Sequence, residues 1–212
     1  MILVGLTGGI GSGKSVVSAQ LAAHGAVLVD ADVIVRQLQQ PGQEVLRQIV
    51  ERFGSGILME SGHLDRAALA GTVFGDQQAL ADLNAIVHPA VGREMMRQID
   101  ERRDTDAVVV LDVPLLVENP RTGLCGILVV DLDTEVAIER LVGQRGLTEA
   151  DARARVARQS SRSARRAVAD WIIDNSGSRL DLARQVSQAW SWMCSLPPAD
   201  ADAGRIARTA DS

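Results

Sequence analysis

The sequence is poor in lysine, cysteine and aromatic residues. Lys14 is the single lysine among 22 basic residues, so arginine meets every other need for positive charge. Cys125 and Cys194 lie far apart and form no C-x-x-C pair, which argues against a disulfide framework or a zinc site and favours a reducing compartment. The sequence has only two phenylalanines, three tryptophans and no tyrosine, which argues against an aromatic surface that stacks with single-stranded nucleic acid.

Long hydrophobic runs are also missing. No apolar stretch reaches the roughly 18 residues that a membrane span needs, and the N-terminal apolar run is too short for a signal peptide. The net charge of −5 argues against general binding to nucleic acid. We therefore expect a cytoplasmic protein with neither a membrane nor a nucleic-acid partner. Its length favours a single domain, over residues 1–198. For its assembly, the expectation is a monomer or weak oligomer.

The motif with the most chemical content runs from Thr7 to Ser15. It contains G-x-x-x-x-G-K-S, the pattern of a loop whose successive backbone N–H groups hold phosphate oxygens. Glycines let this backbone curl, and the helix that follows presents its positive N-terminal end to the same anion. Lys14 would reach the β- and γ-phosphates, and the Ser15 hydroxyl would be a ligand of Mg²⁺. The sequence thus predicts a nucleotide-binding chain.

Five short apolar runs alternate with helical patterns, which predicts an α/β fold with a three-layer core and a five-stranded parallel sheet. A helical region at 33–103 interrupts the core with no strong strand, so we expect an insertion that covers one side of the site. The tail at 199–212 is small and polar, and we predict it to be disordered. The predicted strands are Met1–Leu6, Ala26–Val29, Ala107–Leu111, Gly126–Asp131 and Trp171–Ile173; the predicted last helices of the insertion are Leu64–Phe74, Ala79–Val87 and Pro89–Arg103.

Three acidic residues follow predicted strands. Asp32 is a candidate general base for phosphoryl transfer to a hydroxyl, and equally a candidate N-cap of the next helix. Asp30 fits a structural role or indirect support of a metal. Asp112 ends a β-branched strand, where an acid can hold Mg²⁺ directly or through water, or can simply form a turn.

An arginine-rich stretch and one histidine complete the candidates. Seven arginines lie between Arg145 and Arg166, several at a helical spacing that predicts one shared face. Such a face can neutralise a transferring phosphoryl group, or can be a solvated, salt-bridged surface. His88, before Pro89, is either a packed or capping residue or a substrate ligand.

Taken together and in order, these segments resemble the dephospho-CoA kinase family from about Met1 to Leu196. The loop alone indicates only a phosphate-binding protein, whereas the ordered combination is far more specific. Val16 departs from the pattern, since threonine is common there, which affects only a secondary nucleotide contact. The segments that carry the resemblance are Leu6–Ser15, Asp30–Asp32, Asn84 with His88-Pro89, Asp112–Glu118, Gln144-Arg145 with Thr148, Gln159–Arg162, and Ala169–Gly177.

The resemblance implies ATP-dependent phosphorylation of the ribose 3′-hydroxyl of dephospho-CoA. ATP is then the phosphoryl donor, dephospho-CoA the acceptor, and Mg²⁺ the ion that accompanies ATP. It implies a P-loop kinase core (1–32, 104–143 and 167–196), a helical CoA-binding insertion (33–103) and a lid (144–166). Asp32 corresponds to the proposed base. The implied catalytic residues are Asp32, Lys14, Arg140 and Arg145; the nucleotide-binding ones are Gly9, Ile10, Gly11, Ser12, Gly13, Lys14, Ser15, Val16 and Asn175; the substrate-binding ones are Asp32, His88, Leu115, Glu118 and Arg162; the metal ligands are Ser15 and Asp112.

Other nucleotide-binding functions fit less well. A nucleoside monophosphate kinase is the nearest alternative, and the spacing of Asp30 and Asp32 with the long insertion disfavours it. A GTP-binding switch needs an Asn-Lys-x-Asp motif, which cannot exist because Lys14 is the only lysine. A catalytically silent binding protein would be expected to lack Asp32 or the lid arginines.

Overall fold

The structure, a computed structural model, describes residues 1–206. Strands and helices alternate along the core, and a run of helices separates the second strand from the third. The elements are β1 (Ile2–Gly8), α1 (Lys14–Ala23), β2 (Val27–Asp30), α2 (Ala31–Leu38), α3 (Glu44–Phe53), a 3₁₀ turn (Ser55–Ile57), α4 (Arg66–Val73), α5 (Gln77–Asp100), β3 (Val108–Asp112), β4 (Gly126–Asp131), α6 (Thr134–Arg145), α7 (Glu149–Ala157), α8 (Arg162–Ala167), β5 (Trp171–Asp174) and α9 (Arg179–Cys194).

The five strands form a parallel sheet, as the sequence predicts, and the structure gives their order as β2-β3-β1-β4-β5. The first strand of the chain is therefore the central one, with Ile2 opposite Val108 on one side and Val4 opposite Gly126 on the other. All five residues of β3 are buried, which explains its unbroken β-branched and aliphatic sequence. β2 begins and ends one residue later than predicted, at Val27–Asp30.

The chain divides into two compact units, Met1–Val29 with Ile99–Ser212, and Asp30–Gln98. The first unit has its main core where α1 and α9 cover the sheet. Val17 and Leu21 of α1 and Val186 of α9 are fully buried there. Ser178 and Asp181 form a capping box that starts α9.

The second unit is helical and has a small core of its own that includes Ile49. Its last helix differs from the prediction of separate helices on either side of Pro89, because α5 runs unbroken through this residue. Proline removes one N–H donor from a helix, and the carbonyl that loses its partner belongs to exposed Ala85, where solvent can satisfy it. Several helical turns precede and follow Pro89 in α5, so the loss of this one hydrogen bond does not end the helix.

The C-terminal segment differs from the prediction of a disordered tail, which is wrong for residues 199–206 because these residues make defined contacts. Gly204 N–H donates to the carbonyl of Thr122 at 2.8 Å, and Ala203 is fully buried. The contact depends on Gly123, where a Cβ would lie 2.6 Å from the Ala203 Cα. The last six residues lie outside the described part of the chain.

Candidate active site

The loop that joins β1 to α1 has the curled backbone that the motif predicts. Gly11 and Gly13 have φ values of +81° and +89°, a conformation that L side chains rarely adopt. Gly13 is the N-cap of α1 and no side chain occupies this cap, so the first helical N–H groups remain available to an anion. A Cβ on Gly13 would also clash with Asn175, 2.2 Å from its Nδ2.

Asn175 stabilises the phosphate-binding loop through a hydrogen bond, called the brace below. Its Nδ2 donates to the carbonyl of Ser12 at 2.7 Å, and its own carbonyl accepts from Nη2 of Arg140 at 2.9 Å. The side chain is buried at the end of β5, so the brace is shielded from water. Asn175 and Arg140 therefore shape the loop, while direct roles in nucleotide binding and catalysis stay predictions.

Lys14 and Asp112 meet beneath the loop. Lys14 Nζ forms an ion pair with Oδ1 of Asp112, whose side chain is only 2% exposed. The other carboxylate oxygen accepts from Ser18 Oγ at 2.6 Å. The hydroxyl-bearing Ser15 and the neighbouring Val16 are exposed at the start of α1. Both oxygens of Asp112 thus have partners here, so it is more than a turn-forming residue.

The arginines of the lid (residues 144–166) do not share one helix face, and that expectation is wrong. α7 ends at Ala157, Arg158 caps it, and α8 begins only at Arg162. The turn between the helices changes the phase of the pattern, so arginines that a continuous helix would align point in different directions. Arg145 is exposed at the end of α6, and within residues 1–206 it makes no hydrogen bond or ion pair.

Arg162 and Arg166 fasten α8 to the end of β4. Arg162 donates to Asp131 from Nε and Nη2, each at 2.9 Å, and from Nη1 to Asp133 at 3.0 Å; Arg166 also pairs with Asp131. Burial raises the pKa of Asp131, but the hydrogen bonds from the two guanidinium groups outweigh this and hold the pKa below its usual value. Most of the Arg162 donors are engaged, and its role toward substrate stays a prediction.

Asp131→Asn is expected to destabilise the protein by about 2 kcal/mol at pH 7, because it removes a buried carboxylate that pairs with two arginines. The pKa of this carboxylate is lower in the folded protein than the ordinary value of 3.8, so the stabilisation is present above 3.8 and is lost as pH falls through the folded value. Urea unfolding of both proteins between pH 7 and pH 3 measures this. A difference that stays constant as the pH falls would contradict the ion-pair origin.

Glu118 connects the loop after β3 to the lid. Its Oε1 accepts from the backbone N–H of Ser160 at 2.7 Å. Burial raises the pKa of Glu118, but this hydrogen bond and the nearby charge of Arg165 lower it below its usual range. Leu115, in the same loop, is 41% exposed. A substrate contact of either residue stays a prediction.

Two lid residues contact the phosphate-binding loop itself, although neither was singled out as a site residue from the sequence. Gln159 Oε1 accepts from the backbone N–H of Ile10 at 2.8 Å, and the guanidinium of Arg165 lies against Gly9. The side chains of Ile10 and Val156 both pack against the same small cluster, formed by Ile138, Leu141 and Ala152. Gln159 lies in a segment that carries the family resemblance. Which lid side chains face the loop could not be predicted, because the break between α7 and α8 determines the directions in which they point.

The acceptor-side candidates Asp32 and His88 belong to the helical unit. Asp30, and not Asp32, is the N-cap of α2: its Oδ1 accepts from the N–H groups of Asp32 and Val33 at 2.8 and 3.0 Å. Asp32 is exposed in the first turn, so its side chain is not used for capping. His88 is exposed on α5, which excludes a packed core histidine.

Protein side chains alone do not form a resident metal centre in the described residues 1–206, where no group of three or more His, Cys, Asp or Glu could hold an ion. Within the same range no helix is long and apolar enough to cross a membrane. The site is therefore made of a phosphate-binding loop, a lysine, a buried carboxylate and a lid.

A loop of this kind, at the carboxyl end of the central strand of a parallel sheet and followed directly by a helix, defines a nucleotide-binding protein of the P-loop class. Comparison with known proteins narrows the class. The family model of dephospho-CoA kinase matches residues 2–181. The chain belongs to the dephospho-CoA kinase family.

Individual relatives agree with this assignment. The chain is 50% identical over 194 residues to a dephospho-CoA kinase of Thermobifida fusca, covering 90% of this chain and 95% of the relative. It is 50% identical over 192 residues to one of Mycolicibacterium paratuberculosis, with 90% of this chain covered but only 47% of that longer relative. Among solved structures, TT1252 from Thermus thermophilus has a TM-score of 0.72 at 34% identity, over 90% of this chain and 97% of that one.

Proposed function

We propose that this chain transfers the γ-phosphoryl group of ATP to the ribose 3′-hydroxyl of dephospho-CoA, giving coenzyme A and ADP in the last step of coenzyme A biosynthesis. The observation that carries this is the family match over residues 2–181, which spans the phosphate-binding loop, the helical unit and the lid. The enzyme is accordingly a phosphotransferase with an alcohol acceptor. A nucleoside monophosphate kinase, the nearest alternative, is disfavoured by the same match.

The chain's own residues supply most of what phosphoryl transfer needs, which is positioning and charge stabilisation. Loop N–H groups and Lys14 hold the phosphates of ATP, and the brace from Asn175 keeps the loop curled. Asp32 orients the acceptor hydroxyl and takes its proton. His88, Leu115, Glu118 and Arg162 contact the acceptor, and Arg140 and Arg145 act on the phosphates.

Mg²⁺ accompanies the nucleotide in this proposal. Mg²⁺ is usually held by one or two protein oxygens together with substrate phosphates, rather than by a full cage of protein ligands. The exposed hydroxyl of Ser15 and the carboxylate of Asp112 fit that requirement, with Asp112 acting directly or through water. When bound, the ion neutralises charge on the β- and γ-phosphate oxygens.

The biological setting is part of the same proposal. We propose a cytoplasmic enzyme that acts as a monomer or weak oligomer on small molecules and not on nucleic acid. Both cysteines are free, with Cys194 exposed, which supports a reducing compartment.

A substrate panel tests the proposed function. ADP release is measured with dephospho-CoA, adenosine, AMP and shikimate, and ³¹P NMR of the product locates the new phosphate. We expect turnover of dephospho-CoA with phosphate on the 3′-oxygen, and none with the 3′-deoxy analogue. Turnover of AMP without turnover of dephospho-CoA would establish the alternative instead.

A further inference from the structure

Arg165 lies directly against the phosphate-binding loop. A Cβ built on Gly9 would be 2.8 Å from Nη2 and 3.1 Å from Cζ of Arg165, so the guanidinium rests directly on the glycine backbone. Any larger residue at position 9 would push it away. The guanidinium of Arg165 can thus approach the loop this closely only because residue 9 is glycine.

Within residues 1–206 no carboxylate forms a direct ion pair with this guanidinium, although the charges of Glu118 and Asp131 act on it at longer range. Within the same residues the side chain of Arg165 makes one hydrogen bond, from Nη1 to the carbonyl of Ser160. Its neighbours Arg162 and Arg166, by contrast, both pair with Asp131. Arg165 is half-buried, and burial lowers its pKa. An unpaired, partly desolvated cation is unfavourable unless an anion arrives beside it.

A second unsatisfied group lies in the same cleft. Gly9, Ser12 and Arg165 line it together with residues of α6 and α7. The Ser12 hydroxyl oxygen is buried and has no hydrogen-bond partner in the described structure. A buried polar group without a partner is uncommon in folded proteins and calls for a ligand or water. A guanidinium without a direct ion pair and a hydroxyl without a hydrogen-bond partner therefore lie together at the loop that is assigned to phosphate.

We propose that Arg165 is the lid residue that contacts the terminal phosphate of ATP and neutralises charge on it during transfer. The proposal rests on the assignment of the loop as an ATP site and so deepens the proposed function. It separates the arginines of α8 into two roles: Arg162 and Arg166 fasten the helix to Asp131, and Arg165 acts on the nucleotide. A fixed positive charge at a transferring phosphoryl group stabilises the transition state more than the ground state.

Binding measurements with two nucleotides test the proposal without any acceptor. Calorimetry with Mg²⁺ gives Kd for ATP and for ADP in the wild type, Arg165→Gln and Arg165→Lys. We expect Arg165→Gln to weaken ATP about tenfold or more and ADP less than about twofold, because only ATP has the terminal phosphate. Arg165→Lys keeps the charge and should lie between. With dephospho-CoA, kcat of Arg165→Gln should fall about 10²- to 10³-fold.

Arg166→Gln is the matched control, since it removes a neighbouring guanidinium that pairs with Asp131. It should lower the melting temperature and leave the ratio of the two Kd values unchanged. If Arg165→Gln weakened ATP and ADP equally, or weakened neither, Arg165 would be a structural residue and the proposal would be wrong. If the wild type failed to phosphorylate dephospho-CoA while the ATP-to-ADP difference held, the acceptor assignment would fail and Arg165 would keep its role.

Discussion

Lys14→Arg is expected to lower kcat by about 10²- to 10³-fold, the loss that follows removal of one contact to developing charge. Lys14 Nζ pairs with one oxygen of Asp112, and Ser18 Oγ takes the other oxygen at 2.6 Å. A guanidinium normally pairs with both oxygens of a carboxylate, and here the second oxygen already accepts a hydrogen bond from Ser18. Arginine at this position would therefore displace Ser18 or project into the space meant for phosphate. All the other basic residues of the chain are arginines, so the lysine at position 14 indicates that this site requires the smaller ammonium group.

Steady-state kinetics with varied ATP, together with the melting temperature, measure the effect. The control is Arg47→Lys on α3, a residue that pairs with Glu44 and Glu51 on an exposed surface, where the exchange should leave kcat unchanged. If Lys14→Arg kept more than about a tenth of the wild-type kcat, the ammonium would not be the essential feature of the site.

Asp32→Asn is expected to lower kcat by about 10²- to 10⁴-fold while Kd for ATP changes little, because it removes a base that acts on the acceptor and not on the nucleotide. Asp32 is exposed, and its side chain is not used for capping α2. Loss of helix stability therefore does not explain a large effect. The expected signature is a loss of turnover without a loss of ATP affinity.

Asp30→Asn provides a matched control two residues away. Asp30 caps α2 by accepting from the N–H groups of Asp32 and Val33, and asparagine caps a helix about as well as aspartate. Asp30→Asn should thus keep nearly full kcat. Unchanged dephospho-CoA turnover in Asp32→Asn would exclude it as the base, and equal losses in both variants would point to the conformation of α2 instead.

The sequence predicted the parts of the molecule that depend on local patterns. The glycine spacing identified the loop, because only a particular run of conformations fits it, and the buried apolar runs identified the five strands and their parallel arrangement. The acid at the end of β3 was also predictable, since its position depends only on the strand that precedes it.

What could not be predicted depends on contacts between distant segments. Pro89 breaks a helix in isolation, yet α5 continues through it because both flanking turns are helical. The polar segment 199–206 is ordered by contacts with a loop some 80 residues earlier, at Thr122 and Gly123. The direction of Arg165 depends on the turn at 158–161, whose geometry no spacing of arginines reveals.

The central place of β1 in the sheet has a consequence for biosynthesis. This strand is synthesised well before its two neighbours, β3 at Val108–Asp112 and β4 at Gly126–Asp131. At typical translation rates the gap of about a hundred residues lasts roughly 5 to 20 s, during which an apolar strand has neither edge paired. A nascent chain arrested before β3 should therefore remain sensitive to protease within β1, and become resistant only when β4 has emerged. The segment that binds phosphate in the finished enzyme is thus among the last parts of the core to acquire its structure.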